Sequence, residues 1–211
     1  MNIAIISINI YIVFTLLFFI IKHFKVDNDD SSIPLPNTSW LIYYFIISFF
    51  ILIIQNTYYS SLNDGEIKCV VQPLTLFIYT IIPLCLIMGP IIILLVKMKW
   101  NRIFANTFGL LLAPKIILDS TNKSALFFYN DPNLLLQEIE PEILFDRKEL
   151  QAKLTKLLGE EVNISIQSHE DIKRQYNIKQ NVGYFIWLVF TGIITSLVSS
   201  NSILLQDCII E

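Results

Sequence analysis

The sequence predicts an all-α membrane protein with about four transmembrane helices and a small helical extramembrane segment between the third and the fourth. Two features of composition point there. Hydrophobic residues make up 54% of the 211 and charged residues only 16%, whereas a soluble domain carries roughly a quarter charged residues. The mean hydropathy is +0.59. The third observation is the presence of four uncharged runs near the length that a helix needs to cross a hydrocarbon core of about 30 Å at a rise of about 1.5 Å per residue. None of these runs alternates polar with apolar positions, so helices are expected and not barrel strands.

Residues 1–96 hold three of the spans, at about 3–21, 40–59 and 73–96. In the first, only Ser7, Asn9 and Thr15 interrupt the apolar run. It lacks the basic start, the short apolar core and the small-residue cleavage site of a secretory signal, so it reads as a retained anchor. The second run, Trp40 to Ile54, is short, and Gln55, Asn56, Thr57 and the Tyr58-Tyr59 pair extend it to spanning length. The third contains Pro83 and the Gly89-Pro90 pair, which are expected to kink it. Residues 97–182 form a polar helical segment, and 183–211 the fourth span with a short tail. Thr191, Gly192, Thr195 and Ser196 give that last span a face of small residues suited to close helix packing, within the bundle or against another copy.

Lys and Arg near span ends set orientation. Lys22 and Lys25 follow the first span; Lys97, Lys99, Arg102 and Lys115 follow the third; Lys173, Arg174 and Lys179 precede the fourth. With both termini on the non-cytosolic side, these nine cations face the cytosol and Lys68 alone lies opposite. Lys97, Lys99, Arg102, Lys173, Arg174 and Lys179 are therefore expected at the membrane interface, where anionic headgroups attract cations and Trp100 is also at home. Cys69 and Cys208 fall on one side of the membrane and are candidates for a disulfide, or are two unrelated thiols; Cys85 lies inside the third span as a small packing residue.

The polar segment has a charge layout of its own. From Asp131 to Asp171 there are ten acidic and four basic residues, while both membrane-proximal ends are basic. Asp131-Pro132 opens one predicted helix, which runs through NLLLQEI towards Pro141. Asp146 with Glu149 resembles a capping box, and Leu150, Leu154, Leu157 and Leu158 follow on one face, with Gly159 placed to end that helix. Ser168 with Asp171 marks a third start, continuing into the last span. The leucine face needs cover from the other short helices, the bilayer surface or another protein. The sequons at Asn37, Asn122 and Asn163 lie in connections assigned to the cytosol and read as chance matches.

Little in the chain points to catalysis. His23 and His169 stand alone, the latter in a polar stretch, and no Gly-rich phosphate loop or Cys-x-x-Cys pair is present. The expectation is a non-enzymatic protein without catalytic, cofactor-binding or metal-ligating residues, and with neither nucleic acid nor a small-molecule substrate as a partner. A small channel or transporter subunit is the alternative. Against it, no span carries Asp, Glu, Lys, Arg or His, which coupled carriers usually need. The kinked third span is its one possible asset, since prolines free backbone carbonyls.

Three stretches carry a resemblance. Trp100, Phe104, Asn106, Thr107, Phe108 and Gly109 stand directly after an apolar span as W-x-x-x-F-x-N-T-F-G; DPNLLLQEI follows in the polar segment; FIWLVFTGIITSLVSSNSI and Cys208 close the chain. In this order, over roughly residues 73 to 208, they resemble an integral membrane protein family of nucleocytoplasmic large DNA viruses. The resemblance implies a transmembrane minor capsid protein of the virion's internal membrane, passing through host endomembrane during assembly. Its partners would be the lipid bilayer and capsid or other virion membrane proteins, and its task to tie the membrane to the shell. Leu110 departs from the pattern, where the family tends to have Tyr. Asn106 and Gly109 are expected to take a left-handed or turn conformation just beyond the headgroups, leaving Phe104 and Phe108 to plug into lipid or a neighbouring subunit.

Overall fold

The computed structural model describes residues 3–28, 39–61, 72–112, 135–158 and 163–205. Among these there is no strand. The helices are α1 (Ile3–Asn28), α2 (Ser39–Ser61), α3 (Pro73–Pro83), α4 (Gly89–Lys97), α5 (Asn101–Phe104), α6 (Leu110–Leu112), α7 (Leu135–Glu138), α8 (Arg147–Leu158) and α9 (Ile166–Leu204). Four stretches are long and apolar enough to cross a membrane: Ile5–Lys22, Ser39–Ser60, Pro73–Lys97 and part of Ile166–Leu204. The protein is an all-α membrane protein. At about 1.5 Å per residue, the 39 residues of α9 make a rod of nearly twice the hydrocarbon thickness, longer than one crossing needs, and its first half is the polar one.

The chain divides into two compact units. The membrane unit comprises Met1–Asp30, Asn37–Trp100 and Phe185–Glu211; the second comprises Ser31–Pro36 and Asn101–Tyr184. In the membrane unit the helices alternate in direction, as contacts at the two ends of the bundle show. Ser7 near the start of α1 meets Tyr59 near the end of α2. At the opposite end, Phe19 lies 5.6 Å from Trp40 and 5.5 Å from Phe185, ring centre to ring centre. Trp100 lies 5.5 Å from Trp187 at the same end. Lys22 places its ammonium 3.7 Å from the centre of the Trp40 ring there, a cation–π contact at the level where aromatic belts form.

The third span is not broken by its prolines. Pro73 starts α3 at a position whose N–H would have no helical partner anyway. Between α3 and α4, Leu84–Met88 form a π-helical turn, closed by the Gly89 N–H to the Leu84 carbonyl. Pro90 cannot donate to the carbonyl of Leu86 and its ring would press on it; one wide turn relieves both conflicts without ending the helix. Pro83 likewise cannot serve the carbonyl of Tyr79, and the Ser199 hydroxyl donates to that carbonyl at 2.9 Å instead.

In the second unit a small apolar core is complete on its own. Leu136, Ile139, Leu144, Leu150, Leu154, Ile164, Ile172 and Tyr176 pack together. Leu150, Leu154 and Leu157 of the predicted leucine face of α8 are thus covered by neighbouring short helices and α9. Asp146 caps α8 by accepting the Lys148 N–H at 2.7 Å. The cap of α9 lies one turn earlier than Ser168 predicts: Ser165 accepts the Ser168 N–H at 3.0 Å, and the helix begins at Ile166. The proposed start at Asp131-Pro132 and stop at Gly159 lie outside the described residues, as do Lys115, Asn37 and Asn122.

Candidate functional site

The span that ends at Lys97 turns sharply. Met98 donates its N–H to Leu94 at 3.0 Å, and Lys99 takes φ 54°, the one positive φ of a non-glycine among the described residues. A side chain in that left-handed region costs about 1–2 kcal/mol. Trp100 sits in the membrane unit, where its carbonyl accepts the Trp187 indole N–H at 3.0 Å. The turn therefore falls at Lys99 and not at Asn106 or Gly109. This corrects the expectation from sequence, because Asn101 to Leu112 stays helical throughout.

Within that segment, Ala105–Gly109 form a second π turn, with the Leu110 N–H reaching the Ala105 carbonyl. Thr107 bonds back to the carbonyl of Ile103 at 3.0 Å. Gly109 is required for a different reason than a turn. A Cβ there would lie 2.5 Å from the Lys179 carbonyl oxygen of α9, too close for any side chain. Gly183 faces the same constraint from the other helix, since its Cβ would meet Ala105 at 2.9–3.0 Å. Asn101, buried beside this seam, donates its side-chain amide to Gln180. The motif thus splits into two faces: Asn101, Ala105 and Gly109 close on α9, while Ile103, Thr107 and Phe108 point outward. Phe104 and Asn106 are half-buried between them, and the Phe104 and Phe108 rings lie 6.1 Å apart.

Of the six cations assigned to the interface, Lys97, Lys99 and Arg174 are exposed and Arg102 and Lys173 half-buried. Lys179 departs from that assignment. It is 2% exposed and its ammonium donates to the Leu136 carbonyl at 2.5 Å, so it binds the second unit internally and is not offered to headgroups. Burial, helped by the nearby Arg102 guanidinium, lowers its pKa to about 8. Tyr176, with its ring 5.5 Å from that ammonium, is pushed up to about 12, chiefly by burial. His169 of the polar stretch sits buried on α9, with Nε2 donating to the Leu144 carbonyl at 2.9 Å. Burial lowers its pKa.

Sequence reasoning missed a buried polar layer inside the membrane unit. Asn56 donates to Thr80 at 2.8 Å and to Ser199 at 2.7 Å, and accepts from Ser200 at 3.3 Å. Gln55 donates to Ser196 at 2.9 Å and to Tyr59 at 3.3 Å. Thr15 meets Tyr44 at 2.9 Å nearer the other end. Gln55 and Asn56 read as mere extension of a short span, yet both are buried. The signal lay in the last span, where small residues recur as Thr191-Gly192, Thr195-Ser196 and Ser199-Ser200 at intervals of four, one stripe along a helix. That stripe packs within its own bundle, and a Cβ on Gly192 would overlap the Tyr11 ring.

Among the described residues, no three His, Cys, Asp or Glu side chains gather as metal ligands would. Cys69 and Cys208 lie outside the described residues, and Cys85 is a free thiol. In comparisons with known proteins, no family model, no curated protein and no solved structure matches the chain.

Proposed function

We propose that this protein is a non-enzymatic structural component of a virion, anchored in the internal membrane and tying it to the capsid shell through its extramembrane unit. The observation that carries the anchoring role is the hydrogen-bonded layer of Gln55, Asn56, Thr80, Ser196, Ser199 and Ser200. Its amides and hydroxyls answer one another, and even the carbonyl freed by Pro83 is taken by Ser199. Such a layer supports a closed bundle over a channel or transporter, which would keep its amides and hydroxyls for its cargo.

The viral setting rests on the resemblance of the W-x-x-x-F-x-N-T-F-G, DPNLLLQEI and terminal-span stretches. The glycine seam supports that reading physically, because Gly109 and Gly183 fix the motif on α9 as one defined surface. Changing Phe104 and Asn106 together to Ala leaves Asn101, Ala105 and Gly109 in place. It should preserve membrane insertion and reduce incorporation into particles, measured as copies per capsid. Undiminished incorporation would count against docking through this motif. Ionic conductance of the purified protein in planar bilayers would favour the channel reading instead.

A further inference from the structure

Among the described residues, nothing packs over the outward face of Asn101 to Leu112. Ile103, Phe108, Leu111 and Leu112 are exposed to 55, 51, 81 and 64%. Thr107 is the only polar side chain fully exposed in this segment, and no charge lies among the five. The opposite face is spent on the close contact with α9 through Gly109 and Ala105. A contiguous apolar surface of this kind on a polar unit needs an occupant.

The chain itself indicates which. The third span ends at Lys97, and only Met98, Lys99 and Trp100 separate it from Asn101. Three residues reach about 10 Å at most, so α5 starts within the headgroup layer. The apolar exposure is also continuous along the chain: Ile93 and Val96 at the end of the span, Met98 at 66%, then Ile103 and Phe108. Lys97 and Lys99, both exposed, and the half-buried Arg102 stand at the start of the segment, where phosphate groups would meet them.

We infer that Ile103, Phe108, Leu111 and Leu112 are seated in the boundary between headgroups and acyl chains of the same bilayer, so that this face of the segment is a membrane-surface one. It combines an apolar face, a basic entry and a flanking tryptophan, the features by which helices lie in the interface. A motif whose two faces are taken by α9 and by lipid leaves to any shell its edge, at Phe104 and Asn106, and the other surfaces of the second unit. The inference stands on the membrane fold alone and survives if the viral reading fails.

The test uses the full chain in vesicles of four parts phosphatidylcholine to one part phosphatidylserine, with benzoylphenylalanine incorporated at position 111 and, separately, at 108. After illumination, peptide mass spectrometry should find phospholipid adducts at both positions, several-fold above those at a control position, Lys156 on the exposed side of α8. Adducts to protein, whether a second copy or another chain, would overturn the inference. So would lipid adducts no more abundant than at position 156.

Discussion

The two units of this chain solve opposite problems with the same secondary structure. The membrane unit hides Ser7, Thr15, Ser48, Gln55, Asn56, Thr80, Thr195, Ser196 and Ser199 and displays Ile, Leu and Phe. The second hides Leu136, Leu144, Leu150, Leu154 and Ile172 and displays Glu138, Lys148, Glu149 and Lys156. In water, burying apolar area drives packing. In lipid that drive is absent between helices, and small-residue contact with hydrogen bonds takes its place. The membrane unit thus adds to its buried Leu41, Leu52, Leu84 and Met88 the polar groups that lipid rejects, while the core of the second gathers what water rejects, and exchanging the two kinds of residue is the sharpest way to probe the contrast.

The largest effect is expected from Leu154→Asn in the second unit. It removes a buried leucine worth about 1.5–3 kcal/mol and buries an amide whose missing partners cost about 1–3 kcal/mol more. Protease resistance of α7, α8 and the polar first half of α9 should be lost while the four spans remain inserted. If cleavage there stays as slow as in the native chain, the core around Leu150 and Leu154 does not hold this unit together.

Gly192→Ala should come next. Its new Cβ overlaps the Tyr11 ring, which must shift or force α1 and α9 apart, and overpacking of this kind costs about 1–3 kcal/mol. Resistance to unfolding in mixed detergent micelles measures it, and an unchanged midpoint would mean that α1 does not approach α9 so closely. The mirror of the first change, Asn56→Leu, should cost less, despite removing three hydrogen bonds. Such bonds in membranes average about 0.6 kcal/mol each, and Thr80 and Ser199 keep the Leu76 and Tyr79 carbonyls they already bind. A loss of about 1–2 kcal/mol in the same assay is expected; a gain would mean that the layer serves something other than stability.

How far the sequence foretold this follows from the same contrast. The spans were legible because length and absence of charge are composition, and composition needs no partner. The leucines of α8 and the Asp146 cap were legible because both are local periodicities. Gln55 and Asn56 were not, since nothing local distinguishes an amide that lengthens a helix from one that faces Ser196 and Ser199 more than a hundred residues away. The π turn at Ala105–Gly109 adds a residue to a turn without leaving a mark in the pattern, whereas the one at Leu84–Met88 was foreshadowed only as a kink by Pro83 and Gly89-Pro90. Gly109 was read as a turn because glycine permits one, whereas its use here is the missing Cβ against Lys179.

Lys179 is the instructive exception within the second unit, a lysine buried, with Asn101, His169 and Gln175, beside a core of Leu, Ile and Tyr. Counting basic residues near a span places it at the interface, but its long apolar stem lets the ammonium reach the Leu136 carbonyl inside. The consequence is a pH dependence of definite sign. Its folded pKa of about 8 lies below its ordinary 10.5, so between these values the unfolded chain binds more protons and stability rises with pH. Tyr176 acts the other way at higher pH: pushed up from 10.0 to about 12, it stays protonated in the fold where the unfolded chain has ionised, and stability falls between those values. Protection of the Leu150 and Leu154 amides, corrected for intrinsic exchange, should therefore climb from pH 8 to about 10 and then decline. Lys179→Met should abolish the climb and keep the decline. A climb that persists in the variant would assign it to another group, and the ammonium would then be reaching water despite its place against Leu136.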